Sequence, residues 1–230
     1  MTVTSAPSPL PLFQAGRQRI LSLHFPHLPT DRIARAKWGM SWLSKGLSTE
    51  HPDAPMVCAG RMQNAMRLTA LGRTALTAGL TLLQGLAEAK AICPGLDVHP
   101  ADAAADTRFL AAIADWCDRY TPLVAIDGGD GLFLDITGCA HLFGGEQALL
   151  ADLLSRLTGF GVEAHGAISS SPGLSWAMAR HGGGGIAGPE DAEQVLAPLP
   201  LAALRLDADL VARLEKLGLG RVGDLLDMPR

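Results

Sequence analysis

The segment Ile126-Asp127-Gly128-Gly129-Asp130-Gly131-Leu132-Phe133-Leu134-Asp135-Ile136 constrains this chain more than any other. Residues 123–126 and 132–136 are short apolar arms, and the bend between them holds three glycines, so the stretch reads as a β-hairpin. Acids at such a bend commonly hold divalent metal for phosphoryl transfer, where carboxylates converge on ions roughly 3.5–4 Å apart. Here Asp130 is followed by Gly131, which offers no ligand. The rest of the chain has to decide between a working metal site and the shell of one.

With 230 residues, 48% of them hydrophobic, the chain can bury a sizeable core in one or two domains and is not disordered as a whole. No apolar run approaches the ~18–20 residues of a membrane span. Residues 1–16 lack the pattern of a signal peptide, and Pro7, Pro9 and Pro11 suggest a loose leader. Cys58, Cys93, Cys117 and Cys139 are scattered without a CxxC pair, which points to reduced cysteines in a cytosolic protein rather than zinc or disulfides. Residues 1–95 carry ten Lys+Arg and four Asp+Glu, whereas residues 96–230 carry nine and nineteen. A basic first half hints at a polyanionic partner, and a solvated surface gives the same count.

Residues 19–25 predict a first strand, ended by Pro26 and Pro29. Thr30 is placed to cap a helix over 31–37. Residues 39–54 are irregular. Strands are predicted at 55–59, 67–71 and 96–99. The Ala- and Leu-rich stretch 73–93 predicts helix, with Leu83, Leu86, Lys90 and Cys93 along one face. Phe109, Leu110, Ile113, Trp116 and Cys117 give helical spacing over 106–120. A helix at 146–157, a strand at 162–168 and a helix at 172–181 follow. The order strand, helix, strand, strand, helix, strand over 96–168, with the first strand added, predicts an α/β (α+β) fold. Its sheet is of ferredoxin-like type with helices on one face, and residues 31–94 are an excursion. In the tail, Leu210, Leu214 and Leu217 form a stripe before Gly218-Leu219-Gly220-Arg221-Val222-Gly223. A helix-hairpin-helix has this form and turns backbone N–H groups to a phosphate; a helix C-cap before a packed helix pair has it too.

A palm-type metal site draws its acids from the first strand and the hairpin. The first strand offers His24 and Pro26 on one side, neither an oxygen ligand. The hairpin offers Asp127, Asp130 and Asp135. Simple alternation puts Asp130 and Asp135 on opposite faces unless a glycine bulge intervenes. Asp and Gly also dominate tight bends whatever the function, and Asp135 can cap the Thr137-Gly138 turn. His24 and His27 are isolated histidines near a strand end, and no metal role is expected of them.

The run Tyr120-Thr121-Pro122-Leu123-Val124-Ala125-Ile126-Asp127-Gly128-Gly129-Asp130-Gly131-Leu132-Phe133-Leu134-Asp135-Ile136-Thr137-Gly138-Cys139-Ala140-His141-Leu142-Phe143-Gly144-Gly145-Glu146 closely resembles the ImuB family, bacterial Y-family DNA polymerase relatives of damage-induced mutagenesis. Residues 19–26, 86–94, 167–177 and 217–229 support it, and the resemblance spans about residues 17–230. It implies a Y-family palm at 17–30 and 95–188, small fingers at 31–94 and the start of a helix-hairpin-helix thumb at 189–230, after a leader at 1–16. Active members carry an acid where Leu23-His24-Phe25-Pro26 stands and an Asp-Glu pair where Asp130-Gly131 stands. Asp130 is then a vestigial position, and His24 and Gly131 are lost ones. The Tyr and Arg that meet the incoming triphosphate fall at Arg73 and Leu76, and two lysines beyond the last palm strand fall at Pro172 and Trp176. Loss of cations facing a triphosphate is not a mild change. The first thumb hairpin, near 199–206, lacks the family's glycines. That leaves Gly218, Gly220, Arg221 and Gly223 as the candidate DNA-binding residues.

The resemblance therefore implies a non-catalytic adaptor in error-prone translesion synthesis and DNA repair, part of the SOS response. It implies no metal and no cofactor, a cytoplasmic location without a membrane, and primer-template DNA as ligand. By resemblance alone it adds a sliding clamp, ImuA and a DnaE-type error-prone polymerase as partners. Besides a plain DNA-binding module with no assembly role, two other readings stand beside it. One is an active Y-family polymerase working from Asp127, Asp130 and Asp135. The other is a degenerate nucleotide cyclase, because Gly128-Gly129-Asp130-Gly131 is superficially similar to a GGDEF signature.

Overall fold

The computed structural model describes residues 18–43 and 54–226. The expected leader at 1–16 lies outside them. The chain opens with β1 (Ile20–His24), which is buried along nearly its whole length, and α1 (Leu28–Trp38). This helix starts three residues earlier than expected. Pro29 fits the first turn, where its missing N–H is not needed. Thr30 is thus inside the helix and caps nothing; its hydroxyl donates to the His27 carbonyl at 3.0 Å.

β2 (Met56–Met62) and β3 (Ala65–Leu71) form a longer hairpin than the short strands expected. Gln63 and Asn64 close it with φ of 44° and 64°, the left-handed pair whose twist suits a two-residue turn. The stretch 73–93 is not one helix. α2 (Arg73–Thr77) and α3 (Leu86–Ile92) flank a loop in which Leu83 is left-handed and exposed. Pairing overrides helix propensity here. Leu68 donates to Gln84 O at 3.0 Å and accepts from Leu83 N at 2.8 Å, so the loop runs back alongside β3.

β4 (Asp97–Pro100) pairs in parallel with β2, giving a small sheet β3-β2-β4. Its place in the main sheet, expected from the sequence order, is not observed. α4 (Ala103–Cys117) is capped by the Asp102 side chain, which accepts from Ala105 N at 2.9 Å and so starts the helix ahead of 106. Then come β5 (Val124–Asp127), β6 (Gly131–Asp135), α5 (Glu146–Gly159), β7 (His165–Ser169) and α6 (Pro172–His181). Last are β8 (Gly185–Ile186), α7 (Ala192–Leu196), α8 (Ala208–Lys216) and α9 (Val222–Leu226).

The main sheet runs β5-β6-β1-β7-β8, with β1 central and antiparallel to both β6 and β7. β1, α4, β5, β6, α5 and β7 make the βαββαβ unit of a ferredoxin-like fold, so its first strand is β1 and not residues 96–99. α4 and α5 cover one face, where Leu110, Ile113, Leu149 and Leu153 meet Leu21, Leu23, Leu132 and Leu134. Each such leucine contributes roughly 1.5–3 kcal/mol by burial. The expectation of helices on one face holds for these two only. Alternation presents Ser22 and Ala167 on the other face, and these small buried side chains let α6 pack onto β1 and β7. Among the described residues no helix is long and apolar enough to cross a membrane.

Candidate functional site

The β5–β6 turn, the end of β1 and α6 meet at one cleft. Phe25 N donates to Asp130 O at 2.8 Å, tying the turn to the chain that leaves β1. His24 pairs with Gly131 across the sheet, and Asp127 pairs with Gly131 across the hairpin. His24, Asp127, Asp130 and Gly131 are thus brought together. Asp135 is not. It sits four residues along β6, about 13 Å of strand away, where its carboxylate accepts from Thr137 N at 3.0 Å and Gln18 at 3.4 Å. It does lie on the same face as Gly131, because Leu132 and Leu134 face the core. Simple alternation misplaces it because Asp130 belongs to the turn and not to the strand.

Arg180, in the last turn of α6, decides the chemistry of the cleft. Its Nη1 and Nη2 donate to the two carboxylate oxygens of Asp130 at 2.8 and 2.6 Å, a bidentate pair. His24 Nε2 lies 3.6 Å from the same carboxylate. Burial alone pushes the Asp130 carboxyl up. The hydrogen bonds and charge of Arg180, helped by His24, outweigh that and hold it well below the usual carboxylate range. Gly131 makes the room: a Cβ there would stand 3.0 Å from Arg180 Nη2 and from Asp127 O. The guanidinium therefore stands beside the space that a side chain at 131 would enter.

A second arginine completes the arrangement. Arg205 donates to Asp127 Oδ2 at 2.7 Å and lies 4.3 Å from the centre of the Trp176 ring. Arg180 stacks on the same ring at 5.0 Å. Sequence reading marks Trp176 as a lost cation position but misses Arg180 one helical turn later. The i,i+4 spacing of Trp176 and Arg180 is the available signal. Arg205 has none, because only the chain's return after α7 brings it over α6.

On the far wall, Leu76 is half-exposed and faces the cleft with Phe25, Pro26, Leu71, Gly129 and Asp130, while Pro172 opens α6. Arg73 turns away and forms an ion pair with Glu163. His27 Nδ1 stands 2.8 Å from Leu71 O, so this nitrogen carries the proton; its Nε2 is 3.7 Å from Glu163. Asp31 accepts from Glu163 N at 2.8 Å. Burial pushes its carboxyl up to about 8, against the pull of Arg73 and Arg35. The candidate thumb residues lie elsewhere. Gly218 is left-handed after α8, and the N–H groups of Gly220 and Arg221 donate to Asp224 Oδ2 at 2.8 Å each. Val222 is buried against Leu199 and Ala203. The turn is therefore both a helix end and a packed helix pair.

The impB/mucB/samB family model matches residues 46–180, more than half of the chain. The chain belongs to the impB/mucB/samB family. Two curated ImuB proteins of Caulobacter vibrioides, from strains NA1000 / CB15N and ATCC 19089 / CIP 103742 / CB 15, are 51% identical over 153 residues, 66% of this chain. The chain spans about a third of their length, since the match covers 33% of each. Among solved structures, an insertion ternary complex of Dbh DNA polymerase superposes with TM-score 0.71 at 15% identity, over 92% of this chain and 61% of that one. DinB from Sulfolobus solfataricus gives 0.67 at 14% identity, over 92% and 60%. The impB/mucB/samB chain thus has the Y-family polymerase fold.

That fold implies divalent metal at the hairpin acids, and the residues present do not fit it. Both oxygens of Asp130 are held by Arg180, and Asp127 is held by Arg205. Among the described residues no three His, Cys, Asp or Glu side chains converge on a point where an ion could sit.

Proposed function

We propose that this chain is the polymerase-like, non-catalytic DNA-engaging part of an error-prone translesion-synthesis apparatus. The observation that carries the reading is the bidentate Arg180–Asp130 pair: a carboxylate held in this way is not available to position metal and triphosphate. Leu76, Pro172 and Trp176 supply no cation to a triphosphate either. What survives is the shape of a palm with a cleft, which can hold primer-template DNA through phosphate contacts that need no chemistry.

In this reading residues 17–30 and 101–188 form the palm. The fingers run from 31 to 100, extended past 94 because β4 pairs with β2, and 189–230 begin the thumb. Of the thumb-turn candidates, Gly220 and Arg221 face DNA, with Asp224 competing for their N–H groups; Gly218 shapes the turn, and Gly223 lies against Ala197, whose carbonyl accepts its N–H at 2.9 Å. The sliding clamp, ImuA and a DnaE-type polymerase are proposed partners of the whole protein, which acts in the cytoplasm. Primer extension tests the reading directly. No dNTP-dependent extension is expected with Mg²⁺ or Mn²⁺, and extension that Asp130→Ala abolishes would overturn it. DNA binding is expected to weaken steeply between 50 and 200 mM salt, by roughly tenfold or more for several phosphate contacts.

A further inference from the structure

We infer that Arg180 and Arg205 are built-in counter-cations, so that this cleft receives a nucleic-acid phosphate without any divalent metal. The inference rests on the DNA-binding reading above and deepens it. Two carboxylates at the mouth of a cleft repel a phosphodiester unless positive charge stands among them. In this cleft that charge is covalent: Arg180 spans both oxygens of Asp130 and lies 3.8 Å from Asp127, and Arg205 takes Asp127 at 2.7 Å.

The two guanidiniums are held in place. Both stack on Trp176, and the Arg180 side chain is 15% exposed. Gly131 is part of the same arrangement, since a side chain there would press on Arg180. An acid missing at 131 and a cation arriving from α6 are two halves of one exchange, in which charge that an ion would lend is supplied by the chain itself.

The test measures binding of a fluorescent primer-template by anisotropy, in EDTA and in Mg²⁺ at matched ionic strength, because the divalent ion also screens. For the 230-residue chain the two dissociation constants are expected to agree within about twofold. Arg180→Gln should weaken binding in EDTA by about tenfold or more, and Mg²⁺ should recover much of it, because Asp130 is then uncompensated. The double variant Arg180→Gln/Asp130→Asn removes both charges and should bind in EDTA several-fold more tightly than Arg180→Gln alone, which separates charge from misfolding. Mn²⁺ titration followed by electron paramagnetic resonance, without DNA, should show no ion held by the unaltered chain.

Binding by the unaltered chain that is lost in EDTA and restored by Mg²⁺ overturns the inference. So does Mn²⁺ that is bound by the unaltered chain and released by Asp130→Asn. If DNA binds in neither buffer, the DNA reading fails by itself, and the Mn²⁺ titration still decides whether arginine has replaced the ion.

Discussion

Two residues with unusual surroundings set sharp expectations. Gly131 is boxed in: the first carbon of any side chain there would stand 3.0 Å from Arg180 Nη2, 3.0 Å from Asp127 O and 3.2 Å from Leu23 O. Gly131→Glu, which restores an acid, should destabilise the fold by ~1–3 kcal/mol through overpacking and should not create a metal site, as urea unfolding and Mn²⁺ titration would show. Asp31 is almost fully buried in the first turn of α1, with its carboxyl at about 8 against an ordinary 3.8. The unfolded chain releases that proton near pH 4 while the folded chain keeps it to about pH 8, so this group's stabilisation is complete at low pH and is lost as pH rises through that window. Asp31→Asn should flatten the decline in urea midpoint between about pH 5 and 8. Asp130 has the opposite sign: its carboxyl is held low, and its contribution disappears as pH falls below the ordinary carboxylate range.

At the scale of elements, the small sheet owes its register to the Gln63-Asn64 turn, where both residues adopt a backbone that favours Asn or Gly. Gln63→Asn/Asn64→Gly should raise stability by ~0.5–1 kcal/mol without changing the fold, as read by thermal unfolding. α8 behaves differently from the helices around it. None of its residues is fully buried, Leu210 and the following Leu217 are exposed, and only Val211 and Leu214 of its apolar side are half-buried, where the helix touches the turn at 201–204. α6 is the element that matters most to the cleft. Ser171 and Pro172 start it, small residues on β1 and β7 let it lie close, and its last turn delivers Arg180.

Across the whole molecule, Arg205 joins the segment after α7 to the hairpin through Asp127 and to α6 through Trp176. Its side chain is 45% exposed, so the loss expected for Arg205→Ala is modest, ~0.5–1.5 kcal/mol. The larger effect should be on DNA, because Asp127 is then left uncompensated at the cleft: binding should weaken more than unfolding free energy falls, and anisotropy measured beside urea unfolding separates the two. Arg73–Glu163 and His27–Leu71 tie the small sheet to the main one in a similar way.

The amino-acid sequence by itself determined the hairpin, the helices that became α4, α5 and α6 and the ferredoxin-like type of the sheet, because strand and helix periods are local properties. It could not say that β4 joins β2, that residues 83–85 run beside β3 instead of coiling, or that Asp135 shares a face with Gly131, since each depends on which strand finds which partner. Least legible was the cation in the cleft. Arg180 and Arg205 lie 50 and 78 residues from the acids they hold, and only packing α6 against Ser22 and Ala167, with the chain's return over α6 after α7, brings those charges within bonding distance.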